Sequence, residues 1–265
     1  MTAAIRGLRA PAASRIVRPM AAIVAIYSPE RGAGATTLAV NLAWCAAQAG
    51  HRTLLWDLDP ARGASRVLSR AAADAAPAPA PFATATAGLD LLAGPAAAER
   101  MALLAAAYDR ILLDGIVTPD GAETLHLLRA AAAVIVPIGV ADDAGARFEA
   151  AAAALDARAA RRAPMLPVFA RADRRRAVHR ELLAQRPDWP MIPFAGAINA
   201  TAGTGAALGS IAPRSPAIRA FAALWAGIDR RLAAPAPDRS AAGAAAAGHT
   251  LPGRVAPGGL GAGVP

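Results

Sequence analysis

One short segment of the chain combines the residue types that bind phosphate. It reads Tyr27-Ser28-Pro29-Glu30-Arg31-Gly32-Ala33-Gly34-Ala35-Thr36-Thr37, and it lies between the apolar run 21–26 and a helical pattern over 38–49. Glycines let backbone N–H groups approach an anion closely, a helix N-terminus attracts negative charge, and a threonine hydroxyl can hold Mg²⁺. The segment therefore predicts a phosphate-binding loop.

The predicted loop lacks one charge. The common pattern G-x-x-x-x-G-K-[ST] places a lysine directly before the hydroxyl residue, and this chain has Ala35 there. All 28 basic residues are arginines. A general drift away from lysine would keep the charge by substituting arginine, whereas Ala35 removes it.

Three carboxylates are expected to reach the same place. Asp57 and Asp59 follow one apolar run, and Asp114 ends another. Carboxyl ends of parallel strands meet at one edge of a sheet, where ligands of such folds bind. Phosphoryl transfer needs a hydroxyl and a carboxylate for Mg²⁺ and a group that orients water. Thr36 and Asp114 are the predicted metal ligands, and Asp57 or Asp59 is the predicted water-orienting residue.

Short apolar runs alternate with helical patterns along the chain, which indicates a parallel sheet covered on both faces. The sequence predicts a three-layer α/β/α fold with a mostly parallel central sheet. The predicted strands are 21–28, 53–57, 88–92, 110–114, 134–138, 165–169 and 191–194. The predicted helices are 36–49, 61–73, 95–107, 121–132, 143–160, 173–186 and 215–233.

Composition limits the remaining possibilities. No apolar run is long enough for a membrane span, and the single cysteine, Cys45, indicates a reducing, cytoplasmic location and a buried thiol. Residues 1–19 carry only basic charges and predict a disordered arm, unless translation starts at Met20. Residues 20–233 form the predicted domain. Residues 234–265 are rich in Ala, Gly and Pro and predict a disordered tail.

From about residue 21 to 232 the chain resembles the ParA/MinD superfamily, whose deviant phosphate loop reads K-G-G-x-G-K-[ST]-[ST]. The matching segments are Glu30 to Thr37 for the loop, Asp57-Leu58-Asp59-Pro60 for D-x-D-P, Tyr108 to Asp114 for Y-D-x-I-x-x-D, and Ala132 to Pro137 for A-D-x-V-I-x-P. The resemblance implies ATP and Mg²⁺ as ligands and a homodimer bridged by nucleotide. It also implies that the nucleotide contacts Arg31, Gly32, Ala33, Gly34, Ala35, Thr36 and Thr37.

Both family lysines are absent here. The signature lysine that reaches across the dimer falls at Glu30, and the phosphate-contacting lysine falls at Ala35. A cation about 4 Å from a phosphate contributes roughly 4 kcal/mol at an effective dielectric constant near 20. We therefore expect weak ATP binding and little or no hydrolysis. The usual T-P-P after the third motif is also replaced, by Gly115-Ile116-Val117.

Partition-type members of the superfamily bind DNA non-specifically through arginines late in the chain. The net charge of +9 favours binding of a polyanion. Residues 174–176 and Arg180 are expected on one helix. The candidate DNA-binding residues are Arg171, Arg174, Arg175, Arg176, Arg180, Arg214 and Arg219.

The leading prediction is a ParA-like partition or positioning protein with a degenerate nucleotide pocket and a ParB-like partner. One alternative is an accessory protein of a cellulose-synthesis or other envelope machine, because some relatives of that kind resemble this chain in lacking the second lysine of the loop and in reading L-A-W, as Leu42-Ala43-Trp44 does here. The other alternative is an active ATPase switch in which Arg31 replaces a lysine.

Overall fold

The computed structural model describes residues 20–74, 80–159, 163–199, 201 and 204–233. The predicted basic arm 1–19 and the predicted tail 234–265 lie outside these residues. Contacts divide the chain into a unit that ends at Leu232 and a second unit that starts at Ala233. The fold is that of the first unit.

A single sheet forms the centre of the fold. Its strands are β1 (Ala22–Tyr27), β2 (Thr53–Asp57), β3 (Phe82–Ala83), β4 (Leu89–Ala93), β5 (Arg110–Ile116), β6 (Ala133–Gly139), β7 (Met165–Ala172) and β8 (Met191–Pro193). They are arranged in the order β3-β4-β2-β5-β1-β6-β7-β8. Every neighbouring pair is parallel except β3 and β4. The mostly parallel sheet confirms the sequence prediction.

Helices cover both faces of this sheet. They are α1 (Ala35–Gln48), α2 (Gly63–Leu68), α3 (Arg70–Asp74), α4 (Ala98–Ala107), α5 (Ala122–Ala130), α6 (Ala144–Ala159), α7 (Ala177–Gln185), α8 (Gly196–Asn199), α9 (Leu208–Ile211) and α10 (Pro216–Ala233). Alternate residues of β1 point to opposite faces. Val24 belongs to a buried cluster that includes residues of α1 and α10, and Ile23 belongs to a second cluster that includes residues of α4, α5 and α6. The result is the predicted three-layer α/β/α architecture.

Among the described helices, none combines the length and apolar character needed to cross a membrane.

The predicted helix 61–73 is interrupted. Ser69 is extended, with φ −159°, and separates α2 from α3. Its hydroxyl accepts a hydrogen bond from the Ala72 N–H at 3.2 Å, which is the geometry of a helix N-cap. A local side-chain bond therefore starts a second helix where composition alone predicted one continuous helix.

The predicted helix 173–186 starts later than expected. It begins at Ala177, so that Arg174 and Arg175 precede it and Arg176 is its N-cap residue. Asp173 Oδ1 accepts the Arg175 N–H at 3.1 Å, and the Asp173 carbonyl accepts the Arg176 N–H at 3.1 Å. Aspartate side chains that bind the backbone two residues ahead favour turns over helix. The prediction that 174–176 and Arg180 share one helix is wrong for this reason.

Three short elements were not predicted, namely β3, α8 and α9. The last of these packs on α1. At Gly209 an added Cβ would lie 2.5 Å from the Trp44 ring, and Trp44 Nε1 donates to Ser210 Oγ at 3.1 Å. Asn41 Oδ1 accepts the Leu208 N–H at 3.0 Å. The polar and aromatic residues of α1 thus hold α9 in place.

Candidate functional site

The glycine loop joins β1 to α1 at the carboxyl edge of the sheet. Gly32 and Gly34 have φ of +79° and +96°, a left-handed conformation that side chains disfavour. Ser28 Oγ donates to the Glu30 carbonyl at 2.8 Å and fixes the start of the loop. A cavity of about 380 Å³ opens above the loop and the first turn of α1. Loop and helix therefore border this cavity with the backbone N–H groups that a phosphate requires.

The polar floor of the cavity is formed by Thr36, Asp59 and Asp114. Gly63 packs against two of them, because a Cβ added there would lie 3.0 Å from Thr36 Oγ1 and 3.6 Å from Asp59 Oδ2. Both Asp114 carboxylate oxygens are buried, and neither accepts a hydrogen bond of regular geometry from the described residues, although the Thr36 hydroxyl and the Gly115 N–H lie close enough to favour the charged form. A buried carboxylate with so little hydrogen bonding, next to a hydroxyl, suits a hard cation such as Mg²⁺.

The described residues contain no group of three or more His, Cys, Asp or Glu side chains that could hold a metal ion by themselves. Mg²⁺ does not need such a group, since that ion is usually held by one or two carboxylates together with water and substrate phosphates. Thr36 and Asp114 would be the protein ligands. The ion would neutralise phosphate charge at the place where Asp114 lies.

Burial, together with the charge of Asp57, raises the pKa of Asp114 to about 7, while the Thr36 hydroxyl and the Gly115 N–H act in the opposite direction. Asp57 and Asp114 are register partners on β2 and β5. Like charges on neighbouring buried carboxylates disfavour ionisation of both. A cation at Asp114 would relieve this repulsion.

Asp57 is held in a different way from Asp114. Its Oδ2 accepts hydrogen bonds from the N–H and the hydroxyl of Ser65, at 2.8 and 2.6 Å, and its Oδ1 accepts the Asp59 N–H at 3.2 Å. Burial nevertheless raises its pKa, against these hydrogen bonds. The carboxylate faces the start of α2 and is not among the residues that line the cavity. Of the two residues predicted to orient water, only Asp59 lines the cavity, so that prediction now rests on Asp59. Asp57 anchors the loop that carries Asp59.

The end of β5 touches that loop directly. Gly115 has φ +92°, and a Cβ added there would lie 2.3 Å from the Asp59 backbone nitrogen. The Leu58 N–H donates to the Asp114 carbonyl at 2.9 Å. Gly115 is thus required for the close approach of Asp59 and Asp114. In the sequence this position differs from the T-P-P of the superfamily, which gives no sign of the contact with Asp59.

The opposite wall of the cavity is apolar. It consists of Ile192, Pro193, Phe194, Ala195, Ile198 and Phe221. A site with a polar floor, a backbone loop and an apolar wall suits a ligand that has both an anionic and a flat apolar part.

Residues 24–209 match the family described as the CobQ/CobB/MinD/ParA nucleotide binding domain. The chain belongs to this family. No curated protein sequence matches it significantly.

Solved structures show the same fold. The cell division ATPase MinD of Pyrococcus furiosus is 20% identical, with a TM-score of 0.63 over 80% of this chain and 99% of that one. Cobyrinic acid a,c-diamide synthase of Mycobacterium smegmatis, with bound ADP and magnesium, is 20% identical, with a TM-score of 0.57 over 80% and 96%. A protein assigned to plasmid partition in Borrelia burgdorferi, bound to AMPPNP, is 15% identical, with a TM-score of 0.58 over 76% and 95%.

The predicted nucleotide contacts of this family member lie together. Arg31, Gly32, Gly34, Ala35, Thr36 and Thr37 line the cavity, whereas Ala33 lines a neighbouring cavity on the outer side of the loop. Ala35 opens α1 with a methyl group, so the loop itself offers no cation at this point.

Glu30 is neutralised by an arginine that sequence reasoning missed. Arg147 of α6 forms an ion pair with Glu30 at 2.6 Å and with Asp143 at 3.0 Å, and it also donates to the Gly139 carbonyl at 3.3 Å. The ion pair with Arg147 balances the charge of Glu30 within the chain. Glu30 therefore does not take the role of the lysine that the superfamily has at this position. No motif signals this contact, since the partners lie 117 residues apart.

The predicted DNA-binding arginines are exposed. Arg174 and Arg175 line one side of a groove, and the α10 residues Pro216 and Ala220 line the other. We call it the arginine groove. Arg176 lines the cavity on the outer side of the glycine loop instead, and Arg180, Arg214 and Arg219 are exposed but line neither of these two cavities.

Local contacts hold some of these side chains. Arg175 pairs with Asp173 at 3.0 Å, and Arg180 donates to the carbonyls of Arg174 and Arg175 at 3.0 Å. Arg219 donates to the Arg214 carbonyl at 2.9 Å. Arg171 does not line this groove; it lines both the nucleotide cavity and the neighbouring cavity on the outer side of the loop.

Proposed function

We propose that this protein is a cytoplasmic, ParA-like positioning or partition protein that binds Mg²⁺ and ATP, hydrolyses ATP slowly or not at all, and binds DNA through exposed arginines. The observation that carries the proposal is the cavity in which Thr36, Asp59 and Asp114 meet beneath the glycine loop. Two of the similar structures bind ADP with magnesium or AMPPNP, and one is a cell division ATPase.

The frame of the site supports nucleotide binding. The loop glycines, the start of α1 and the buried Asp114 supply what a metal-bound polyphosphate needs. The apolar wall gives the base a surface. ATP with Mg²⁺ is therefore the ligand that we assign to the cavity.

The charges of the loop support slow turnover. Catalysis of phosphoryl transfer depends on cations that stabilise the charge of the transition state. Position 35 supplies none, and position 30 carries an acid whose partner is Arg147. Binding can persist under these conditions, whereas most of the rate acceleration is lost.

Calorimetry with ATP, in the presence and absence of Mg²⁺, tests the nucleotide part of the proposal. We expect binding that requires Mg²⁺ and weakens at least about tenfold in Thr36→Val, because the hydroxyl ligand is lost. Thr118→Val is the matched control, since Thr118 is exposed and does not line the cavity. Absence of ATP binding by the wild-type chain would refute this part.

A turnover assay on the same protein tests the second part. We expect phosphate release near the uncatalysed level. Rapid ATP hydrolysis that is lost in Asp59→Ala would show an active switch. Loss of both binding and turnover in Arg31→Ala would identify Arg31 as the replacement cation of that switch.

DNA binding is tested by its dependence on salt. Five exposed arginines are the proposed phosphate contacts, namely Arg174 and Arg175, which line the arginine groove, and Arg180, Arg214 and Arg219. If about four or five phosphates are neutralised, affinity for random duplex DNA falls on the order of 10²-fold between 50 and 200 mM salt.

The matched DNA variants lie on one helix. Arg219→Ala should weaken binding and reduce the salt dependence by about one ion. Arg230→Ala, which lies three turns further along α10, should leave both unchanged. Binding that is insensitive to salt would refute the DNA role and would leave the envelope-machine alternative, which requires a protein partner.

The homodimer is proposed from the resemblance to the ParA/MinD superfamily, in which nucleotide bridges the dimer. Sedimentation should show monomers without nucleotide and dimers with Mg²⁺ and ATP. A monomer in both conditions would exclude the nucleotide-bridged dimer.

A further inference from the structure

We propose that Arg171 supplies the phosphate-binding cation that the loop lacks at position 35. This inference rests on the proposed binding of ATP and adds a residue to that site. Arg171 belongs to the end of β7, far in sequence from the glycine loop, yet it lines the same cavity as Thr36 and Asp59.

The backbone of Arg171 has an unusual conformation. Its φ is +58°, and Arg62 is the other residue besides glycine with positive φ in the described part of the chain. A left-handed backbone conformation is unfavourable for residues other than glycine, asparagine and aspartate. Such strain is typical of functional sites, where a side chain must point in one direction. Here it turns the arginine at the end of a strand towards the loop.

The loop lies directly beneath Arg171. A Cβ added at Gly34 would lie 3.5 Å from the Cβ of Ala170, the residue that precedes Arg171 in the chain. Arg171 Nη1 donates to the Gly32 carbonyl at 3.5 Å, the long limit of a hydrogen bond. The guanidinium is therefore placed at the tip of the loop by a weak contact that an anion can displace.

Arg171 carries a charge that no acid balances within the described residues, since its hydrogen bond to Gly32 involves a neutral carbonyl. The nearby Arg147 differs, because it is already paired with Glu30 and Asp143. Arg175 is likewise paired, with Asp173. Of these three arginines, Arg171 is the one without an ion-pair partner among the described residues, so a ligand need not displace an acid from it.

A guanidinium suits the task. It binds phosphate through two parallel N–H groups and remains charged at every physiological pH. A lysine at position 35 would reach the phosphates from the start of α1, whereas Arg171 approaches from the neighbouring strand end across the loop. The ligand class is thus the terminal phosphates of a nucleoside di- or triphosphate.

Glycine substitution at this position separates folding from binding. Glycine adopts φ +58° without strain, so Arg171→Gly should keep or raise the midpoint of thermal unfolding. We expect the same variant to weaken the binding of Mg²⁺-ATP and of inorganic tripolyphosphate at least about tenfold, as loss of a charge-assisted contact implies. Arg171→Lys should recover part of the affinity, because it restores the charge.

Arg231→Ala is the charge control. It removes one exposed arginine in the last turn of α10, outside the cavity, and should leave both dissociation constants unchanged. Calorimetry on the full chain measures all of these variants with both ligands.

The outcomes distinguish this inference from the proposed function. Wild-type binding of ATP with unchanged affinity in Arg171→Gly overturns the role of Arg171 and leaves the proposed function intact. A tenfold loss in Arg31→Ala together with no loss in Arg171→Gly assigns the cation to Arg31. If the wild-type chain binds neither ATP nor tripolyphosphate, both the proposed function and the role of Arg171 are refuted.

Discussion

The contact between Gly115 and Asp59 makes a quantitative prediction. In Gly115→Ala the new Cβ would lie 2.3 Å from the Asp59 nitrogen and 2.7 Å from its Cα, and the residue would keep φ +92°. The backbone conformation alone costs about 1–2 kcal/mol. Relief of the overlap with backbone atoms adds about 1–3 kcal/mol. The expected loss in the free energy of unfolding is therefore about 2–5 kcal/mol.

Gly50→Ala separates the two contributions. Gly50 follows α1 with φ +89°, and no atom lies within 4 Å of its added Cβ, so this variant should lose only the backbone contribution of about 1–2 kcal/mol. Urea unfolding of both variants gives the difference, and calorimetry shows whether Mg²⁺-ATP affinity falls only in Gly115→Ala. If Gly115→Ala is no less stable than Gly50→Ala, the argument that Gly115 positions Asp59 is wrong.

Three further predictions concern buried or paired groups. In the folded chain Asp114 has a pKa of about 7, chiefly because it is buried, so it keeps its proton at a pH where the unfolded chain has lost it. Without Mg²⁺, its contribution to the free energy of unfolding therefore falls as pH rises from about 4 to about 7. Urea unfolding at pH 5 and 8 should show this fall in the wild-type chain and not in Asp114→Asn. Burial raises the pKa of the Cys45 thiol to about 12, so Ellman's reagent should label it in proportion to the unfolded fraction, and rapid labelling of native protein would contradict its buried position. Asp229→Ala removes the partner of Arg110 at 2.7 Å and of His51 at 3.1 Å and should lower the free energy of unfolding by about 1–3 kcal/mol, measured in urea.

The frame of the site follows from the sequence because its signals are local. Buried parallel strands read as apolar runs, and Asp57, the last residue of β2, is the register partner of Asp114, which lies two residues before the end of β5. The glycines and threonines of the loop are contiguous, so their order alone predicts a strand, a loop and a helix. These are the parts of the site that the structure reproduces.

The charges of the site depend on contacts between distant residues and could not be predicted in this way. Ser65 turns the Asp57 carboxylate away from the cavity, and Arg147 neutralises Glu30 from α6. The position of Arg171 depends on a backbone φ of +58° at a strand end, for which an arginine in the sequence gives no sign. Two-residue β3 is too short to produce a period of apolar residues.

The packing of Trp44 against Gly209 gives the protein an optical reporter. The chain has four tryptophans, and Trp56, Trp189 and Trp225 are buried, whereas Trp44 is partly exposed and donates to Ser210. Trp44 lies on the helix whose first turn lines the cavity. Any movement of that helix relative to α9 changes the surroundings of this indole, so its fluorescence can follow the state of the site in the native chain without a label.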